Sequence, residues 1–194
     1  MPVSTDDISE RYLKKAIAEI NELGHEIAQA AGSDHVPVLG SGHPLADIFM
    51  LKHRPQTAEV HEGVAFFGRT GQAILKSIQR LHVDPTAVYG TNVVKFEGAG
   101  DEDTRRWLAR ELHVVQPKIV VVMGQDALAC LNAARFPLSD EVEDTLGGIQ
   151  RFTPTIDALV CPDVDASLDE QAGKRAFWEA FKDLGPWWAA LPPY

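Results

Sequence analysis

Apolar residues recur at spacings of three and four through residues 5–31, at Ile8, Tyr12, Ala16, Ile20, Leu23 and Ile27. That period predicts a long amphipathic helix. Ser4 or Thr5 can cap its start, and Asp6 and Asp7 suit the positive end of the helix dipole. Gly32, Ser33 and Asp34 stop it. A turn-rich stretch, 38–44, leads to an apolar run at 46–51 that reads as a buried strand. Residues 52–66 are polar and titratable and read as a loop, and a helix opens near Gly68 and runs to about Leu81. A second strand is predicted over 88–96 and another helix over 101–115. Residues 118–123 are nearly pure β-branched, the composition of a strand covered on both faces. Gly124 then turns into a short helix reaching about Ala134, a fourth strand spans 156–161, and a last helix spans 168–184. Phe177, Phe181 and Leu184 form a core-facing stripe on that helix. The tail at 187–194 is expected to pack or fray, its prolines stopping any helix.

Strands alternating with helices predict a three-layer α/β/α fold around a central four-stranded parallel sheet. One domain over residues 1–194 is expected, with the N-terminal helix within 1–35 and a tail at 185–194. Such sheets bind ligands at the carboxyl ends of their strands. Here those ends are residues 52–55, 92–96, 123–125 and 161–163.

Composition narrows the partners. The chain has 194 residues and a net charge of −10, which opposes tight non-specific DNA binding through phosphate neutralisation. A local basic patch remains open, because Arg105, Arg106 and Arg110 cluster and Lys52 and Arg54 flank a strand end. The ordinary reading of each group is a solvated face. No apolar run approaches a membrane span, and residues 1–8 lack the pattern of a signal peptide. The two cysteines, Cys130 and Cys161, lie far apart, so a reduced cytoplasmic setting is expected. A monomer is expected.

Two segments carry the chemistry: Glu62-Gly-Val-Ala-Phe-Phe-Gly-Arg-Thr-Gly-Gln72 and Tyr89-Gly-Thr-Asn-Val-Val-Lys95. Their order and separation, with Pro55, Pro117-Lys118 and Pro162 at the flanks, resemble the thermophile-type branch of the uracil-DNA glycosylase superfamily over about residues 36–184. The resemblance implies hydrolysis of an N-glycosidic bond after a base leaves the stack. It assigns Phe66 to stacking and Asn92 to reading the base edge, with Gln56 beside them. An amide carries a donor and an acceptor side by side, as that edge requires. Lys52, Arg54, Lys95, Cys161 and Asp163 would line the mouth or the phosphate side. Each has a plain alternative: Phe66 as core, Asn92 as a loop tie.

Several family features are changed. The acidic position of the first loop is His53, and its two glycines are Lys52 and Gln56. A histidine there can serve as a base near neutral pH or as a nucleophile, or stand as an exposed loop residue. The histidine that steadies the departing base is replaced by Cys161, and the following serine is Asp163. Positions that would hold iron–sulfur cysteines are Phe96 and Thr104, with no cysteine in residues 20–40, so no cofactor is expected. A zinc set from His53, Glu59, His61 and Glu62 fits no standard spacing. Three readings follow: a divergent DNA glycosylase acting on a deaminated or damaged base, an inactive member binding a nucleobase, single-stranded DNA or a protein, and an enzyme acting on a small nucleoside-like substrate.

Overall fold

The computed structural model describes residues 5–192, with side chains from Asp7 onward. The elements are α1 (Thr5–Ala31), β1 (Ser41–Gly42), β2 (Ile48–Lys52), α2 (Thr57–Glu62), α3 (Arg69–Arg80), β3 (Val88–Asn92), α4 (Asp101–Val115), β4 (Ile119–Met123), α5 (Gln125–Ala133), β5 (Ile149–Thr153), β6 (Ile156–Cys161), α6 (Val164–Ser167), α7 (Gln171–Phe181) and α8 (Leu184–Ala189). A cap at Ser4 lies outside the described residues.

The sheet runs β1-β3-β2-β4-β6-β5. Its four inner strands are parallel, and the two edge strands, β1 and β5, are antiparallel to their neighbours. The expected parallel centre is present, flanked by two short edge strands that the apolar pattern did not reveal. β5 alternates poorly between exposed and buried positions, as befits an edge.

Alternation along the inner strands feeds two cores. Phe49, Leu51, Tyr89, Val120, Val122, Ala158 and Val160 face α4 and α5, where Leu108, Leu112 and Leu131 meet them. Ile48, Met50, Ile119, Val121, Met123, Leu159 and Cys161 face Ile74 and Ile78 of α3 and Phe177, Phe181 and Leu184 of the C-terminal helices. Helices therefore cover both faces. α1 packs on α4 through a third cluster of Leu23, Ile27, Ala31, Phe96 and Trp107. Glu26 of α1 accepts from Trp107 Nε1 at 3.0 Å and pairs with Arg106 and Arg110. Two of the three clustered arginines thus tie helices together.

Three element boundaries differ from expectation. The segment 168–184 is not one helix: Asp163 caps α6, and Glu170 is extended (φ −126, ψ 150) before α7 begins. The tail continues as α8, with Pro186 in the first turn, where its missing N–H leaves no helical bond unmade. Trp187 Nε1 donates to Asp157 Oδ2 at 2.8 Å, which docks this helix on the sheet. The second strand stops at Asn92 rather than 96. Beyond it, Val93 and Val94 donate to the carbonyls of Lys52 and His53, wrapping the chain around the end of β2.

Candidate active site

Strand register places the site. Asn92 pairs with Lys52, Lys52 with Met123, and Met123 with Cys161, so these four end one row across the parallel strands. Residues at alternate positions share a face, and this row continues the face that carries Met50 and Val121.

Lys52 was expected at the mouth of the site. It is buried, 1% exposed. Its Nζ donates to Glu59 Oε2 at 2.5 Å, to Asp165 Oδ2 at 2.8 Å and to the Arg54 carbonyl at 3.1 Å. An ammonium has three protons to give, so this one is fully used. Burial of a charge is tolerated here because two carboxylates and a carbonyl replace water. Thr70 Oγ1 donates in turn to Asp165 Oδ1.

Glu59 is the hub, and the sequence reading placed it only in the rejected zinc set. It lies at the third position of α2, a helix inside the expected loop. Oε2 accepts from the Gln56 backbone N–H at 2.7 Å, while Oε1 accepts from the Phe66 N–H at 2.5 Å and from Asn92 Nδ2 at 3.2 Å. The available signal was a glutamate three residues beyond a helix start, as in a capping box. Gln56 sits exposed at that start.

Phe66 and Asn92 converge through Glu59. Phe66 has a positive φ of 59°, an uncommon conformation for an aromatic residue. Two glycines make room for it: a Cβ on Gly71 would meet the Phe66 carbonyl oxygen at 1.8 Å, and one on Gly90 would meet Phe66 Cδ2 at 2.7 Å. Asn92 is buried, and its Oδ1 is the only buried side-chain nitrogen or oxygen without a hydrogen-bond partner among the described residues. The carboxylate of Glu59 fixes the amide with Nδ2 toward it and Oδ1 away. Lys52 Nζ stands over the Phe66 ring, 5.8 Å from its centroid.

His53 occupies a different space. It lines an open cleft of about 520 Å³ with Gly124, Gln125, Asp126, Leu146, Cys161 and Asp163 among its walls. Its Nδ1 is 3.6 Å from Asp126 Oδ2. Burial lowers the pKa of His53 below the ordinary value of 6.5, opposed by the attraction of Asp126. Burial thus favours the neutral imidazole, the form able to accept a proton. A second cavity on its other side is lined by His53, Arg54, Thr104, Arg105 and Cys130 among others.

The remaining expected residues fall apart from one another. Lys95, also expected at the mouth, is buried on the opposite sheet face, where Nζ donates to Glu111 Oε2 at 2.6 Å and to Thr91 Oγ1 at 2.5 Å. Burial lowers the pKa of Lys95, and the adjacent Glu111 carboxylate pulls it back. Arg54 is exposed at the rim. Burial pushes the Cys161 thiol far above its ordinary range, so it is neither nucleophile nor useful donor. Asp163 caps α6, accepting from the Ala166 N–H at 2.8 Å.

A family model for the uracil DNA glycosylase superfamily matches residues 39–185, which includes every strand of the sheet. The chain belongs to that superfamily. It is also similar to a type-4 uracil-DNA glycosylase from Sulfurisphaera tokodaii, at 30% identity over 97 residues. That alignment spans 45% of this chain and 44% of the relative, less than half of either.

The residues present do not fit the iron–sulfur cluster associated with this branch. Phe96 stacks on His35 and tilts against Trp107, each with ring centroids 5.8 Å apart, and the apolar cluster of α1 and α4 encloses it. Thr104 offers a hydroxyl and no thiolate. Among the described residues, no three His, Cys, Asp or Glu side chains converge as a metal would require. No helix among them is long and apolar enough to cross a membrane.

Proposed function

We propose that this chain is a divergent DNA glycosylase that hydrolyses the N-glycosidic bond of a deaminated or damaged base other than uracil. The observation that carries this reading is the place of His53, an imidazole 3.6 Å from Asp126 in the open cleft at the strand ends. A cleft of about 520 Å³ is within the ordinary range for a nucleoside-sized ligand.

The step is simple in outline. Water attacks the anomeric carbon of the sugar while the bond to the base breaks and the base keeps the bonding electrons. His53 takes the proton released by the water, and the Asp126 carboxylate, 3.6 Å away, steadies the charge that forms. The products are an abasic site and a free base, which takes up a proton. Arg54 and Arg105, on the cavity that shares His53, offer phosphate contacts beside this cleft. The proposal needs no metal or iron–sulfur cluster, and it takes the protein as a cytoplasmic monomer whose partner is DNA, single-stranded or with a flipped base.

A second reading, a glycosylase-fold protein that binds without excising, is favoured by one observation. The donor expected to steady the leaving base is Cys161, a buried thiol with a strongly raised pKa. Loss of such a donor costs two to three decades in rate, roughly 3 kcal/mol.

Oligonucleotides carrying uracil, hypoxanthine or xanthine, in single and double strands, separate the two. Breaks after alkali at a non-uracil lesion, lost in His53→Ala, support the first reading. No breaks at any lesion support the second.

A further inference from the structure

We infer that Lys52 closes the Phe66–Asn92 subsite and is the residue that excludes uracil from it. The inference deepens the reading above and rests on it: with this subsite closed, the base to be excised is held in the His53 cleft instead.

The subsite has the groups needed to hold a pyrimidine. Phe66 supplies an aromatic face, and Asn92 supplies a buried acceptor, Oδ1, with nothing to accept from. A buried unpaired acceptor is costly and rare in a folded protein. Asn92 Nδ2 gives one proton to Glu59 and keeps another. The amide therefore still presents an acceptor beside a donor, matching a base edge with an N–H next to a carbonyl.

Space is what is missing. A flat ring needs about 3.5 Å to each neighbour, so a base stacked on Phe66 needs about 7 Å between that ring and the next group. Lys52 Nζ stands 5.8 Å from the ring centroid. It is held there by Glu59, Asp165 and the Arg54 carbonyl, and Thr70 fixes Asp165. Lys52, Glu59 and Asn92 are 1%, 0% and 0% exposed, so none of the three faces solvent. The clamp also explains why Lys52 is not a catalytic group: each of its protons is committed to a fixed acceptor.

Removing Lys52 alone would leave Glu59 and Asp165 without their cation. Glu59 keeps three donors, from Gln56, Phe66 and Asn92. Asp165 keeps Thr70. The double variant Lys52→Gly with Asp165→Asn removes one of the two carboxylates and preserves that contact.

The test is titration of purified protein with free uracil, read by calorimetry and by thermal shift. Wild type and Lys52→Met, whose side chain still fills the space, are expected to show no binding at millimolar uracil. The double variant is expected to bind at least tenfold more tightly, and adding Asn92→Ala is expected to abolish that gain. Lys52→Gly alone serves as a second opened form. Wild type binding uracil as tightly as the opened variants, or a folded opened variant that binds none, overturns the inference. Free uracil undergoes no reaction, so the outcome is independent of whether His53 is a catalytic base.

Discussion

Lys52 and Glu59 meet at 2.5 Å inside the protein, the ammonium 1% and the carboxylate 0% exposed. Few ion pairs are so enclosed, and this one sits where three elements converge: the end of β2, the first turn of α2 and, through Asp165, α6. Electrostatics and packing are inseparable at this point.

Glu59→Ala leaves the ammonium of Lys52 short of one carboxylate and strips the acceptor from Gln56, Phe66 and Asn92. Breaking a buried pair in this way costs about 3–5 kcal/mol. Glu59→Gln keeps an acceptor and is expected to lose less. Urea denaturation monitored by far-UV circular dichroism measures both, and equal stability of Glu59→Ala and wild type would contradict the hub.

The second buried pair gives a parallel test on the other sheet face. Lys95→Met leaves Glu111 buried without its cation and is expected to cost about 3–5 kcal/mol. Adding Glu111→Gln is expected to restore part of that loss, because the amide oxygen still accepts from the Tyr89 and Thr91 hydroxyls. The same denaturation experiment, run as a double-mutant cycle, reads the coupling.

Burial lowers the pKa of His53 below 6.5. The base form therefore persists into mildly acid solution, and kcat/KM is expected to fall only as pH drops through that lowered value. The linkage to stability has the same direction. The unfolded chain binds this proton more readily, so the contribution of His53 to stability is present above pH 6.5 and is lost as pH falls through the lowered pKa. Asp126→Asn removes an attraction that raises the pKa, so the acid limb moves to lower pH. A pH–rate profile that does not move would detach Asp126 from His53.

Phe96 fills the region between α1 and α4 with Trp107 and His35. Phe96→Ala is expected to cost about 3–5 kcal/mol from lost burial and the cavity left behind. Iron analysis of the wild-type protein, purified without oxygen, is expected to give no stoichiometric iron. A visible absorbance band with bound iron and sulfide would contradict this.

The fold was legible because apolar periodicity survives wherever a strand or helix faces a core. The run at 118–123 is covered on both sides, as its composition implies, and the stripe of Phe177, Phe181 and Leu184 is buried. β1 and β5 were invisible because edge strands have no continuous apolar face, and α2 because six residues do not complete two turns. The candidate site was half legible. Motif order brought out Phe66, Asn92 and His53. The burial of Lys52 and Lys95 did not show, because a lysine reads as surface unless its partner is known. Those partners, Glu59, Asp165 and Glu111, stand 7, 113 and 16 residues away. Only the folded chain joins them.

The most direct test is excision itself. Wild type and His53→Ala are incubated with oligonucleotides bearing uracil, hypoxanthine or xanthine, and abasic sites are cleaved with alkali. Strand breaks are expected at a non-uracil lesion in wild type, reduced at least a hundredfold in His53→Ala, with little release of uracil. Equal cleavage by both proteins, or efficient release of uracil by wild type, would contradict it.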